Sequence, residues 1–441
     1  MYIGDYQKPI TSAQEKAAIA FPMVLLALAI GFVVGVTIWG IFLLSKVLIH
    51  LVWVVAPRVV SVGPYATFAL CSMGGIIVGL WNYFTGIMPS TLEDVMATIK
   101  KTGTYKLEGG LFKNMVGFLL PLVFGGSIGP EAGMTGIIAG ACAWVSNRLK
   151  RAGVAAKSVV DLTLSASLSA IFGTPFLGIV AASEDVLPDA DQLEFRRYTK
   201  VVLYTATAFG AFAGIIFIKT LSGISAGLPH FGSMQTTPQD LIWFPLLALG
   251  GYALALVFRL FDKVAKLAQA ICDRGTYSEV FKPIVCGIAL GLFAMVFPDV
   301  LFSGEEQTNE IQSAWMNLSL FILFGTALAK LFMTTVCLHM GWHGGLIFPL
   351  IFAGVSAGYG FAALLGVDPV FCVAITSTSL VAAAMRKPLM AVALVMLCFP
   401  FDKILWFGLA ALIASSLPVP SILQSAEDTC EGTVPNTALG V

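Results

Sequence analysis

The chain has 441 residues, 58% hydrophobic and 11% charged, with 25 basic residues balancing 25 acidic ones. An ordinary soluble domain is about a quarter charged, so a large soluble core is excluded; zero net charge offers no hint of a nucleic-acid partner or an acidic one. A mean hydropathy of +0.89 describes a chain suited to lipid.

Residues 1–15 read as a polar tail carrying Asp5, Lys8 and Glu15. The apolar run that follows, 18–56, is too long for a cleaved signal peptide and reads as a retained first span. Further apolar blocks lie at 65–88, 109–145, 159–187, 201–218, 241–262, 283–302, 315–338, 344–366, 368–384 and 388–416. A simple span needs about 20 apolar residues. Several blocks exceed that and contain Gly or Pro, whereas others are short. This mixture predicts an all-α, multi-pass membrane protein with tilted helices and helices that stop part-way, where other protein covers the broken backbone.

Basic residues cluster at Arg148–Arg151, at Arg196–Lys200 and at Arg259–Arg274, while the loop 221–240 has no Lys or Arg. The positive-inside tendency puts the clusters on the cytoplasmic side and that loop outside, with the protein in the cell membrane. The same loop divides two similar parts. The expected organisation is a tail (1–15), a first membrane repeat (16–220), a connecting loop (221–240), a second membrane repeat (241–417) and a short tail (418–441). Three pairs of segments recur in order. Gly125-Gly126-Ser127-Ile128-Gly129-Pro130 matches Gly344-Gly345-Leu346-Ile347-Phe348-Pro349. Leu111-Phe112-Lys113 matches Leu328-Ala329-Lys330, and Ser167-Leu168-Ser169-Ala170 matches Ser379-Leu380-Val381-Ala382.

The first pair is the most informative. Glycine-rich breaks at corresponding places in two halves of a membrane protein point to a binding site near the bilayer midplane. Glycine lets backbone approach a ligand, proline suits the first turn of the next helix, and the amides exposed there attract anions. The expected partners are an inorganic anion such as chloride and membrane lipid, with no nucleic acid. No cofactor or metal is expected. The eight Cys form no CxxC pair, and most read as small hydrophobes in helix contacts. His339 and His343 have the i,i+4 spacing of a metal pair but no evident further ligand set, so loop packing is the favoured reading. No HExxH or paired-aspartate motif lies in an apolar run, so an intramembrane enzyme is disfavoured. Lys113 and Lys330 recur in the two halves; either they raise the potential of an ion path or they snorkel and pair with an acid.

Several segments resemble the CLC family of chloride channels and proton-coupled chloride transporters. Gly126-Ser127-Ile128-Gly129-Pro130 resembles the family's Gly-Arg/Lys-Glu-Gly-Pro signature, and Gly344–Pro349 resembles Gly-Gly-Ile-Phe-Ala-Pro. Phe172-Gly173-Thr174-Pro175, running on to Glu184-Asp185, is similar to the Phe-Asn-Ala-Pro stretch that ends in two acids. Lys387-Pro388-Leu389 resembles the opening of a late helix, and Gly86–Pro89 fits the Gly-Ser-Gly-Ile-Pro segment more loosely. The resemblance implies two inverted helical halves with re-entrant, broken helices, a homodimer, and one anion path per subunit. It places the central amides at Leu346 and Ile347 and the outer ones at Ser127, Ile128 and Gly129. The family's serine hydroxyl falls on Gly86, or on Thr85 if one residue is inserted. The late tyrosine has no counterpart between Leu417 and Leu423, where Ser421 is the nearest hydroxyl.

One departure decides the functional expectation. The family's gating glutamate is replaced by Ile128, which neither competes with an anion for amides nor carries a proton. A passive chloride-like channel is therefore expected. Two alternatives stay open: a proton-coupled antiporter using Glu131 as a displaced gate and Asp185, beside Glu184, as inner proton acceptor; or a secondary transporter of another anion.

Overall fold

A computed structural model describes residues 13–60, 65–87, 98, 107–131, 133–134, 136–140, 162, 165–171, 197–223, 230–234, 237–275, 277–396, 398–399 and 403–424. Among them the structure is helical, with no strand beyond one isolated bridge between Gly129 and Gly345. Seven helices are long and apolar enough to cross a membrane, and three shorter apolar helices accompany them. The protein is a multi-pass integral membrane protein, as composition predicts.

In chain order, α1 spans Ala13–His50 and runs through a π-turn, Leu51–Val55, into Ala56–Val60. Then come α2 (Ala66–Thr85), α3 (Leu111–Val123) and, beyond a break, helical residues at 131, 133–134 and 136–140. The next elements are α4 (Arg197–Ser222), α5 (Phe244–Cys272), α6 (Ser278–Val296), α7 (Glu305–Ala314) and α8 (Leu320–His339). The chain closes with α9 (Ile347–Leu365), α10 (Pro369–Met385), α11 (Pro388–Val395) and α12 (Ile404–Ser416). Local chemistry sets several of these starts. Ser319 accepts the Ile322 amide ahead of α8, and Asp368 accepts that of Val370 ahead of α10, where Pro369 occupies the first turn.

The chain forms two compact units that interleave along the sequence. The first gathers Met1–Val47, Pro89–Met115 and Glu131–Gly227; the second gathers Leu48–Met88, Val116–Pro130 and Leu228–Val441. In the first unit α1 meets α4 through small residues. A side chain at Gly35 would strike the Ala211 backbone, and one at Gly214 the Phe32 backbone. Such close approach drives helix association where lipid provides no hydrophobic force between helices.

In the second unit α2 packs along α6, while α10 packs against α5, α9, α11 and α12. Residues Phe371–Ala383 of α10 are buried without interruption, including Thr376, Ser377, Thr378 and Ser379. A helix apolar on every face belongs inside a bundle, and α9 and α10 obey that rule. The faces of α12 and α6 that expose Leu405, Leu412, Leu292 and Met295 suit lipid.

Candidate functional site

Both glycine-rich segments interrupt helices, as the sequence predicts. After α3 ends at Val123, Gly125 turns the chain with φ of 85°, a left-handed conformation open to glycine. After α8 ends at His339, Met340–Leu346 leads into α9. The two segments pair directly. The Gly129 amide donates to the Gly345 carbonyl at 2.7 Å, and the Gly345 amide returns a 2.7 Å bond to Gly129. A β-carbon added at Gly344 would lie 2.6 Å from Cβ and Cδ1 of Ile128, so only glycine admits that side chain. Ile128 is fully buried.

The predicted site residues fall into distinct groups. Ile128, Gly129, Leu346 and Ile347 come together in the second unit. However, the Ile128 amide donates to the Gly126 carbonyl at 2.8 Å, and Gly129 is spent on the bridge. At the other segment, the Leu346 amide donates to nothing among the described residues, and the first turn of α9 holds no acid. The Ser127 hydroxyl lies 3.3 Å from that of Thr334 on α8, buried. Thr85 donates to the Trp81 carbonyl at 2.7 Å, while the Gly86 amide reaches Asn82 at 2.9 Å; both residues close α2. Glu131 is 1% exposed and opens the helical stretch beyond the break. Glu184 and Asp185 lie outside the described residues.

Three comparisons bear on what this arrangement belongs to. A family model described as voltage gated chloride channel matches residues 94–418. The chain belongs to the CLC chloride-channel family. It is 25% identical over 348 residues to YfeO of Escherichia coli strain SMS-3-5, whose ion-transport role is itself provisional; the match covers 75% of this chain and 77% of that one. It is 24% identical over 316 residues to chloride channel protein CLC-e of Arabidopsis thaliana, covering 67% of this chain and 42% of the relative. The fold resembles a slow cyanobacterial Cl−/H+ antiporter (TM-score 0.73, 16% identity, 89% of this chain and 94% of that chain). It also resembles a CLC-type fluoride/proton antiporter (TM-score 0.67, 20% identity, 92% and 96%). CLC proteins are anion channels and transporters rather than enzymes.

Within this CLC chain the paired lysines have different fates. Lys113 is exposed, which accords with the snorkelling alternative. Lys330 is fully buried, and its Nζ donates to the carbonyls of Phe302 at 2.7 Å, Leu301 at 3.0 Å and Val300 at 3.1 Å. His339 does not join His343 in a metal group. Its Nε2 meets Asp262 Oδ1 at 2.6 Å, and no His/Cys/Asp/Glu cluster suited to a metal occurs among the described residues. Sequence reasoning missed the side chains that brace the breaks. Asn82 donates to the Gly341 carbonyl at 3.0 Å, Trp342 to Pro283 at 3.0 Å, and Trp53 to Val123 at 2.8 Å. Each partner is distant in sequence. The one available signal was polar or indole side chains in otherwise apolar runs, which must find acceptors when buried.

Proposed function

We propose that this protein passes chloride-like anions passively through a path in each subunit of a homodimer, with the ion met by amides at the start of α9. The observation that carries this reading is Ile128, an apolar side chain buried against Gly344, which the resemblance of its motif aligns with the family's gating acid. The acid-free first turn of α9 and the undonated Leu346 amide support it, because a helix N-terminus carries about half a positive elementary charge. Such a partial charge steadies a dehydrated anion without the full ion pair that would trap it. The Thr85 hydroxyl and Gly86 amide already serve α2, so the binding set is mainly backbone. Weak discrimination among small anions follows.

The test is a flux assay on purified protein in liposomes. An outward chloride gradient drives anion flux, and internal pH is followed after a protonophore-free start. Passive conduction leaves pH unmoved; uphill proton movement would sink the reading. A second reading, coupled antiport through Glu131, draws support from the near-complete burial of that carboxyl group at a helix start. It also draws on the likeness to antiporter folds. Glu131→Gln separates the two: a passive path keeps its flux and pH profile, whereas an antiporter loses proton transport.

A further inference from the structure

Lys330 is held in an unusual way for a cation inside a membrane helix. Its ammonium faces four consecutive carbonyls, with Asp299 at 3.5 Å joining the three shorter bonds, and the Phe352 ring centre lies 5.2 Å away. Among the described residues no carboxylate lies within ion-pair distance of it. An ammonium has three donors, so the turn 299–302 saturates it with carbonyl dipoles.

That turn is built against its own preference. Phe302 has φ of 59°, in the left-handed region where a β-carbon crowds the backbone. In this conformation the Phe302 amide donates to the Gly125 carbonyl at 3.1 Å, at the first glycine of the first break. The Phe302 ring meets Trp53 at 5.2 Å, edge to face, and Trp53 bonds Val123 at the end of α3. One turn beyond Lys330, Thr334 reaches Ser127 in the same break. Lys330 and Thr334 therefore lie on one face of α8 and brace 123–127 by two routes.

We propose that Lys330 is a positioning residue for the anion path: its ammonium clasps the 299–302 turn, keeps Phe302 left-handed, and so holds the Gly125–Gly129 segment in register with Gly345. The rival role is purely electrostatic, a buried charge that draws anions inward. The flux arm of the test rests on the function proposed above; the exchange arm does not.

The experiment compares Lys330→Met, Lys330→Gln and Lys330→Met/Phe302→Gly in liposomes, with backbone hydrogen exchange of the same samples in detergent. The clasp predicts that Lys330→Met speeds exchange of the Phe302 amide at least tenfold and lowers anion flux about tenfold. Lys330→Gln, uncharged but still a donor, falls less. Phe302→Gly restores at least threefold of the flux lost in Lys330→Met, because glycine holds φ near 59° without crowding. Equal losses in Met and Gln, no rescue by Phe302→Gly, and unchanged exchange at Phe302 would overturn the clasp and leave the electrostatic role. If Lys330→Met does not purify as a folded protein, Lys330→Gln with and without Phe302→Gly carries the same comparison. Absent flux in the unaltered protein defeats the proposed function, while the exchange result still judges the clasp.

Discussion

The two glycine-rich breaks share a sequence pattern but not a chemistry. At the first, the Gly126, Ile128 and Gly129 amides are all donated within the protein, and Glu131 opens the following helix. At the second, α9 opens on Leu346-Ile347-Phe348-Pro349 with no acid in its first turn, and the Leu346 amide stays undonated among the described residues. A repeated motif therefore reproduces an interruption without reproducing its electrostatics. The first break is braced and carries the side chain that faces Gly344. The second is braced too, by Asn82 at Gly341 and by Trp342 at Pro283, but keeps the Leu346 amide undonated among the described residues.

Crowding the contact between them should have the largest effect. Gly344→Val places carbon 2.6 Å from Ile128, a separation real side chains do not tolerate, and either Ile128 or the Gly129–Gly345 bridge must move. Flux should fall at least about a hundredfold, by analogy with small misplacements at reacting groups. Ile128→Ala added to Gly344→Val should recover much of it, since the double change restores space. Failure of the second substitution to rescue would mean that Gly344 matters for backbone conformation rather than for room beside Ile128.

A smaller effect tests whether the second break is the electropositive one. Leu346→Pro deletes one undonated amide at the N-cap of α9, although its φ of −109° must shift toward the roughly −65° of proline. Losing one amide donor to an anion costs about 1.5–3 kcal/mol, roughly a ten- to hundredfold weaker anion affinity. Isothermal titration with chloride and with bromide measures it. Unchanged affinity would move the binding amides away from α9.

Much of this was legible beforehand, and the illegible part has a physical cause. Helix breaks are written in glycine and proline, which act locally, so the interruptions after Val123 and His339 could be placed from residues alone. Which amides remain free could not, because that depends on partners far along the chain: Gly345 for Gly129, and Phe302 for Gly125. The lysines make the same point. Lys113 and Lys330 occupy matching places in apolar sequence, yet only Lys330 meets a carbonyl turn, and nothing around Phe302 signals a left-handed residue. Thr85 shows the limit from the other side, since a hydroxyl near a helix end often bonds its own backbone, as here to Trp81.

The finest distinction between the halves lies at the turn that Lys330 clasps, where two acids outside the spans titrate above their ordinary range. Burial raises the Asp299 carboxyl, with the attraction of Lys330 offsetting only part. Glu310 on α7 is raised by burial and then by Asp299 and Glu306. A raised carboxyl binds its proton more tightly folded than unfolded, so these groups make stability rise as pH falls through their folded values. The gain is complete once pH drops below the ordinary 3.8 of an aspartate, and above the folded values the ionised forms weigh against the fold. Asp299→Asn removes the larger burial cost and relaxes Glu310 with it. Thermal unfolding in detergent should show the variant slightly more stable than the unaltered protein at neutral pH, with the difference shrinking as the buffer is acidified. A variant less stable at neutral pH would mean that the Asp299 carboxylate is held by Lys330 more strongly than burial opposes it. The carbonyl clasp would then depend on a charge partner after all.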